Sequence, residues 1–277
     1  MSMVRSIGAE FRKVFTTRMW WVLALVLVAY VATMSGGFGA FLGWTVQNPD
    51  VAAQTGNATP LPPGLELAPL LYSFATSVGY VFPVLLGALA VTTEFRHRTL
   101  TTTFLAEPHR TTVLGGKFTS QLVMGALLGV VGFATSVGAG AGALAAFDLE
   151  TGLDSSDTWA LVGRGVLAMA LWGAIGVGLG ALVPNQVAAI VIVIAFTQFV
   201  EPVLRLAASF NEVTAEIARF LPGAASDALV GASLYNMAAM GGAGETLEWW
   251  QGGLVLLGIA VVATVLGGAT TWRRDVS

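Results

Sequence analysis

The sequence contains no cysteine and only two histidines in 277 residues. The lack of cysteine excludes a disulfide framework, thiol chemistry and cysteine-ligated metal sites. Charge is scarce as well, because Asp, Glu, Lys and Arg make up only 10% of the chain, whereas ordinary soluble domains carry roughly a quarter. A soluble globule of this size could not cover its surface with so few charges. The composition therefore excludes a soluble enzyme and a disordered chain.

Hydrophobicity takes the place of charge, since 55% of the residues are apolar and the mean hydropathy is +0.76. A helix needs about 20 apolar residues to cross the hydrocarbon core of a membrane. Six nearly uncharged runs in the sequence have lengths of that order. They predict an all-α integral membrane protein with one transmembrane domain over 1–277 and spans at about 20–44, 70–93, 118–147, 165–183, 187–206 and 249–272.

Proline and glycine mark features within these runs. Pro83 interrupts the second run, and Pro184-Asn185-Gln186 separates the fourth run from the fifth. A helix breaker followed by two amides predicts a tight hairpin at one membrane face. Small residues let transmembrane helices approach closely, and four G-x-x-x-G pairs have this spacing: Gly39/Gly43, Gly125/Gly129, Gly138/Gly142 and Gly176/Gly180.

The basic residues orient the predicted spans. With the N-terminus in the cytoplasm, ten of the 13 Lys and Arg residues and four of the 16 acidic residues lie inside, which gives net charges of +6 inside and −9 outside. This orientation obeys the positive-inside rule. It predicts cytoplasmic N and C termini in a multi-pass protein of the cell membrane. The tryptophans fall where an aromatic belt requires them, with Trp20, Trp21 and Trp272 inside and Trp44, Trp159, Trp249 and Trp250 outside.

Residues 2–18 have the pattern of a basic amphipathic helix that lies in the membrane interface. The alternative is a charged tail that only obeys the positive-inside rule. One side of the predicted helix would carry Val4, Ile7, Phe11, Val14 and Phe15, and the other Arg5, Arg12, Lys13 and Thr16.

The outer segment 207–248 is too interrupted to span, because Pro222, Gly223 and Gly241–Gly242 break its apolar stretches. Half-helices in the outer leaflet would explain it, and a small folded cap is the alternative. Just before it, Glu201 and Arg205 stand four residues apart, a favourable spacing for a helical ion pair. Charges within a membrane are functional candidates, although this pair could also lie at the outer interface without a transport role.

The predicted cytoplasmic loop 94–117 differs from a uniformly polar connector. Leu100, Phe104 and Leu105 could share one face of a short helix, which Pro108 would end. Such a helix suits docking into a groove of a partner protein. The alternative is a helix that rests on lipid headgroups.

Four stretches follow the second span directly: Thr-Glu-Phe-Arg-His-Arg-Thr at 93–99, Thr-Phe-Leu at 103–105, Pro-His-Arg at 108–110, and Lys117. Together they resemble the ABC-2 type transporter permeases of the actinobacterial kind. The six spans, the interfacial helix and the interrupted last outer segment are similar too, so the resemblance covers the whole chain. Many members of that family have glycine where Arg98 stands, so Arg98 departs from the pattern.

The resemblance implies a transmembrane subunit of an ATP-driven exporter. Two separate ATP-binding subunits would carry ATP and Mg, and a second permease, identical or a sister chain, would complete the pathway. The family's coupling helix maps to about 94–107, and helix 2–18 would also touch the ATPase. Coupling would involve Glu94, Phe95, Arg96, His97, Arg98, Leu100, Phe104, Leu105, Pro108 and Arg110, and the interfacial helix Ile7, Phe11, Arg12, Lys13 and Phe15.

The sequence has no motif for catalysis of its own. Gly115-Gly116-Lys117-Phe118 lacks the upstream glycine and the hydroxyl residue of a phosphate-binding loop. Both histidines lie in the predicted cytoplasmic loop, and neither belongs to a His-Glu-x-x-His zinc site. We therefore expect that the chain alone is not an enzyme and that it binds no metal, cofactor or nucleic acid.

An apolar pathway suits a hydrophobic or amphipathic substrate such as a drug, a lipid or a peptide. The leading hypothesis is thus an exporter permease surrounded by membrane lipid. One alternative is a secondary transporter or channel driven by an ion gradient through Glu201. Such folds usually carry polar groups at the membrane midplane and internal repeats, whereas these spans are almost purely apolar. A membrane anchor or sensor subunit that transports nothing is the other alternative.

Overall fold

The computed structural model describes residues 3–54, 66–208, 212–232 and 247–272, and every regular element within these ranges is helical. The first half contains α1 (Met3–Thr16), α2 (Met19–Gln47), α3 (Pro49–Gln54), α4 (Leu67–Tyr72), α5 (Phe74–Ser77), α6 (Val81–Arg96), α7 (Leu100–Ala106) and α8 (Arg110–Ala146). The second half contains α9 (Ser156–Leu182), α10 (Gln186–Ala195), a π-helical turn (Phe196–Val200), α11 (Glu201–Ala208), α12 (Glu212–Ala218), α13 (Pro222–Val230) and α14 (Trp249–Thr270).

Within the described residues, six helical segments are long and apolar enough to cross a membrane, so the chain is a helical, multi-pass membrane protein. A backbone in lipid must satisfy its hydrogen bonds within the segment, which helices do. The cytoplasmic placement of the termini stays a prediction. The six segments are Met19–Gln47, Leu67–Arg96, Arg110–Ala146, Ser156–Leu182, Gln186–Ala208 and Trp249–Thr270.

The second spanning segment is a broken helix. It is interrupted by turns at Ser73 and again at residues 78–80, and only then continues as α6. Pro83 is the third residue of α6, where a missing N–H has no intrahelical partner to lose. The interruption predicted at Pro83 therefore lies just before it, and the proline itself fits within the first turn.

The second and fourth spanning segments form the centre of the bundle, with 72% of the most apolar window of each buried. They cross at glycines. A Cβ atom added to Gly87 would lie 2.2 Å from the Gly173 carbonyl oxygen, and one added to Gly176 would lie 2.2 Å from that of Val84. Side chains at either position would separate the two backbones, so these glycines set the distance between α6 and α9.

The four G-x-x-x-G pairs do not all serve packing. Gly39/Gly43, Gly125/Gly129 and Gly176/Gly180 each have close neighbours from other helices, whereas an added Cβ at Gly138 or Gly142 meets nothing within 4 Å. The same motif therefore marks helix contacts at three places and an open surface at the fourth.

The bundle has two distinct ends. One end, here called the α1 end, contains α1, the turn at 97–99, α7 and the 183–185 hairpin. Arg96 Nη1 donates a hydrogen bond to Gln186 Oε1 at 3.1 Å, which brings the hairpin beside the end of α6. The opposite end, the α13 end, contains α12 and α13, and there the Tyr72 hydroxyl donates to the Thr151 carbonyl at 2.5 Å.

Two short helices, α12 and α13, occur in the described part of segment 207–248, and the location of this segment in the outer leaflet stays a prediction. The second, α13, packs closely along α14, because a Cβ added to Gly252 would lie 2.4 Å from the Ala225 carbonyl oxygen. It ends at Gly231, whose φ of +91° is the left-handed conformation that glycine adopts without strain. The predicted break at Gly241–Gly242 lies outside the described residues.

Candidate functional site at the α1 end

Helix α1 packs on the bundle through a face that coincides only in part with the predicted apolar side, since Val14 is buried and Ile7 and Phe11 are half-buried. Its buried residues are Ser6, Glu10 and Val14. Close approach depends on Gly116, where an added Cβ would lie 2.5 Å from Ser6 Oγ. Val4 and Phe15, predicted on one apolar side, are exposed in this structure. The location of this helix in a membrane interface stays a prediction.

Four charged side chains join α1 to two spanning helices. Lys117 Nζ on α8 lies 2.8 Å from Glu10 Oε2 and 2.8 Å from Glu94 Oε1 on α6. Lys13 Nζ lies 2.6 Å from Glu10 Oε1 and 2.6 Å from Glu94 Oε1. We call Glu10, Lys13, Glu94 and Lys117 the first charge cluster. Since its charges alternate and sum to zero, it can exist away from water.

Lys117 is the innermost member of this cluster. Its side chain is 0% exposed, and its ammonium also donates to the Ala90 carbonyl at 3.0 Å. A lysine ammonium has three donors, and the three contacts to Glu10, Glu94 and Ala90 match that number. A buried cation is stable only with such compensation.

Lys13 closes the cluster at its outer edge, where the side chain is partly exposed. Burial lowers the pKa of Lys13, but the Glu10 and Glu94 carboxylates outweigh burial and leave that pKa above its usual value. The contribution of Lys13 to folding is therefore fully present below about pH 10.5. It is lost only as the pH rises through the raised pKa.

Sequence reasoning names Lys13 and Glu94 for contacts with a partner, and the structure places both in internal ion pairs. It gives Glu10 no role and names Lys117 only as part of the loop pattern, and these two residues lie 107 positions apart. The sequence could have predicted the pair within α1, because Glu10 and Lys13 have the i, i+3 spacing of a helical ion pair. Nothing in the sequence indicates that this pair meets Lys117.

The predicted coupling segment 94–107 consists of three structural parts. Glu94, Phe95 and Arg96 form the last turn of α6, residues 97–99 form a turn, and α7 begins at Leu100. Arg98 has a φ of +53°, a left-handed conformation that glycine adopts at lower cost. Glycine would therefore suit position 98 better than arginine on conformational grounds.

Aromatic contacts fix α7 to the bundle. The Trp272 ring packs edge-on against Phe104 at 5.5 Å and against Phe95 at 6.3 Å between centroids. The guanidinium of Arg110 lies 4.9 Å from the centre of the Phe104 ring and donates to the Trp272 carbonyl. Trp272, which the sequence assigns only to the inner membrane interface, is 3% exposed and is part of this site.

The expectation that Leu100, Phe104 and Leu105 share one face is wrong. Leu100 is 1% exposed and Phe104 is half-buried, whereas Leu105 is 80% exposed. Positions one residue apart point in directions about 100° apart on a helix, so 104 can pack on the bundle while 105 faces away from it. Leu105 is thus an exposed apolar side chain, and His97, Arg98 and Pro108 of the same predicted loop are exposed too.

The other named residues of this end occupy varied positions. In α1, Ile7 and Phe11 are half-buried, while Arg12 and Phe15 are exposed. Phe15 packs edge-on against Trp20 at 5.3 Å, which joins the end of α1 to the start of the first span. These contacts, together with the first charge cluster, connect α1 to α2, α6 and α8.

A second charge cluster lies at the α13 end. Arg205 Nε lies 3.2 Å from Glu201 Oε1, and Arg205 Nη1 lies 2.6 Å from Asp227 Oδ2 on α13. The Ala224 N–H donates to Glu201 Oε1 at 3.0 Å, so this carboxylate accepts a donor from the first turn of α13. The predicted Glu201–Arg205 pair is present in the structure, and Asp227, which sequence reasoning overlooked, is part of the same cluster.

Comparisons with known proteins give no assignment, because the sequence matches no protein-family model and no curated protein. In the described part of the chain, no group of three or more His, Asp or Glu side chains is arranged to hold a metal ion.

Proposed function

We propose that this chain is the permease subunit of an ATP-binding cassette exporter in the cell membrane. Two separate ATPase subunits would supply hydrolysis of ATP with Mg, and a second permease would complete the pathway. The observation that carries the proposal is the exposed, apolar Leu105 on a short helix that is fixed to the bundle. An apolar side chain on a rigid support suits insertion into a partner's groove.

A force on α7 would reach several spans at once. Phe104 would transmit it to Trp272, just after the end of α14. Trp272 in turn contacts Phe95 on α6. The first charge cluster connects α6 to α1 and α8. Because these contacts are short and buried, the α1 end would move as one unit when the ATPase subunits close. The pathway would lie between two permeases and would take a hydrophobic or amphipathic substrate.

Leu105→Asp is the variant that tests this role of α7. We expect it to insert and fold normally, since the side chain is 80% exposed. We expect it to weaken binding of the ATPase subunit at least about tenfold, because a carboxylate would have to be buried in an apolar groove. Co-purification with a candidate ATPase subunit co-expressed with this chain, together with substrate-stimulated ATPase activity, measures both effects.

Thr101→Asp is the matched control, because Thr101 is also exposed on α7 but is not apolar. It should retain ATPase binding. Equal binding by the native chain, Leu105→Asp and Thr101→Asp would reject the docking role of Leu105. Transport by the chain reconstituted without an ATPase would reject the exporter proposal as a whole.

One observation favours a gradient-driven transporter as the second candidate. Glu201 is 2% exposed, and among the described residues its Oε2 has no hydrogen-bond partner. A buried carboxylate of this kind could take up a proton or a cation. Glu201→Gln separates the two candidates. We expect the variant to transport at a rate similar to that of the native chain and only with ATP. The gradient mechanism would be favoured if the variant lost transport and the native chain still transported without ATP.

A further inference from the structure

A groove between α8 and α14 opens on the surface of the bundle near the α1 end. Its volume is about 600 Å³, which is within the range of small-molecule sites. Two glycines keep it open, since an added Cβ would lie 2.9 Å from Met3 Cε at Gly115 and 3.1 Å from Leu114 Cδ2 at Gly268. The apolar walls include Met3, Leu114, Phe118, Val261, Val265 and Trp272.

The groove has the length and direction of a lipid chain. Its lining runs from Arg110 to Thr119 along α8 and from Trp272 back to Val261 along α14. At 1.5 Å per helical residue these stretches are about 14–17 Å long. One leaflet contributes roughly 15 Å of hydrocarbon. The stretch on α14 belongs to a 22-residue helix that is long and apolar enough to cross a membrane, so this wall of the groove lies at a depth where acyl chains are present.

The charge at the groove is positive. Arg110 lines it at the α1 end, and no carboxylate is among its lining residues in the described part of the chain. One Arg110 nitrogen donates to the Trp272 carbonyl, and a guanidinium has five N–H donors, so others remain for a phosphate.

We propose that this groove is a binding site for one anionic glycerophospholipid of the leaflet at the α1 end. One acyl chain would lie between α8 and α14, over Gly115 and Gly268, and the phosphate would accept hydrogen bonds from Arg110. The bound acyl chain would fill the space between α8, which begins at Arg110, and α14, which ends before Trp272. This inference depends on the membrane location of these helices and not on the exporter proposal.

Native mass spectrometry of the full chain with added phospholipid tests the site. The probes are phosphatidylglycerol and phosphatidylcholine with identical acyl chains. We expect the native chain to retain phosphatidylglycerol about fivefold better, the value of one charge contact near a membrane surface. Arg110→Gln should reduce this preference to about one, since the acyl groove remains while the cation is lost.

Gly268→Leu and Gly258→Leu form a matched pair on α14. Leucine at 268 would fill the groove and should reduce retention of both lipids, whereas at Gly258 an added Cβ meets nothing within 4 Å and retention should be unchanged. If Gly268→Leu fails to fold, Arg110→Gln still decides. Equal retention of both lipids by the native chain, or an unchanged preference in Arg110→Gln, would overturn the proposal.

A second copy of this chain is the other occupant that the experiment can detect. Val265 lines the groove and is 62% exposed. In vesicles of phosphatidylglycerol, Val265→Cys should form no disulfide-linked dimer, because the lipid covers this position. Rapid and complete crosslinking at 265 would mean that another copy covers the groove, and would overturn the lipid assignment.

Discussion

Replacement of Lys117 by methionine is expected to destabilise the protein by about 3 kcal/mol. Lys117 is fully buried and lies 2.8 Å from carboxylate oxygens of both Glu10 and Glu94. Methionine has a similar length but no charge, so two buried carboxylates would share Lys13 alone. Loss of one partner from a buried ion pair is costly because the remaining charge stays in a poorly solvated place. The midpoint of thermal unfolding in detergent measures the effect.

Two further variants determine whether charge pairing is the cause. Lys13→Ala removes the other cation, but at a partly exposed position, where an ion pair contributes about 1 kcal/mol or less. The double variant Lys117→Met with Glu94→Gln removes one charge of each sign and should recover part of the lost stability. A midpoint for Lys117→Met no lower than that of Lys13→Ala would contradict the central role of Lys117.

Gly176→Ala is expected to destabilise the protein by about 3 kcal/mol as well, through steric overlap. The new methyl group would lie 2.2 Å from the Val84 carbonyl oxygen and 3.0 Å from the Ala88 nitrogen. Both neighbours are backbone atoms of α6, so they cannot rotate away. The two central helices would have to separate along their length. Unfolding in a denaturing detergent, followed by tryptophan fluorescence, measures this loss.

Gly138→Ala makes the same substitution in a different environment. Gly138 also belongs to a G-x-x-x-G pair inside a long helix, but an added Cβ there meets nothing within 4 Å. Alanine favours helix over glycine by about 1 kcal/mol, so this variant should be neutral or slightly stabilised. If Gly176→Ala and Gly138→Ala lost similar stability, the presence of the glycine motif, and not the close contact with α6, would determine the loss.

The second spanning segment illustrates what the sequence predicts and what it does not. Hydropathy locates this segment well, because it extends from Leu67 to Arg96 where 70–93 is expected. It does not predict the breaks before α6, because residues 73–80 stay uncharged, and Ser, Thr and Gly such as Ser73, Thr76 and Gly79 also occur inside spanning helices. The helix is interrupted there where α5 contacts α8, α9 and α13, and a single sequence carries no record of those contacts.

The candidate site also has features that the sequence predicts and features that only the structure shows. The local sequence pattern predicts the position of α7 and its end before Pro108. The role of Trp272 does not, since it packs on Phe104 from the other end of the chain. Likewise, Phe104 and Leu105 look equivalent in the sequence, and only packing assigns one to support and the other to the surface.

The sequence by itself determined that this protein is helical, that it belongs in a membrane and that it has six segments able to cross one. These properties depend on the composition of windows about 20 residues long, because the free energy of transfer into lipid is a sum over neighbouring side chains. Tertiary structure alone decided that Lys117 pairs with Glu10 and Glu94, and that Gly176 is a contact while Gly138 is open. Pairing depends on which helices become neighbours, and residues 107 positions apart share no window in which composition could reveal it.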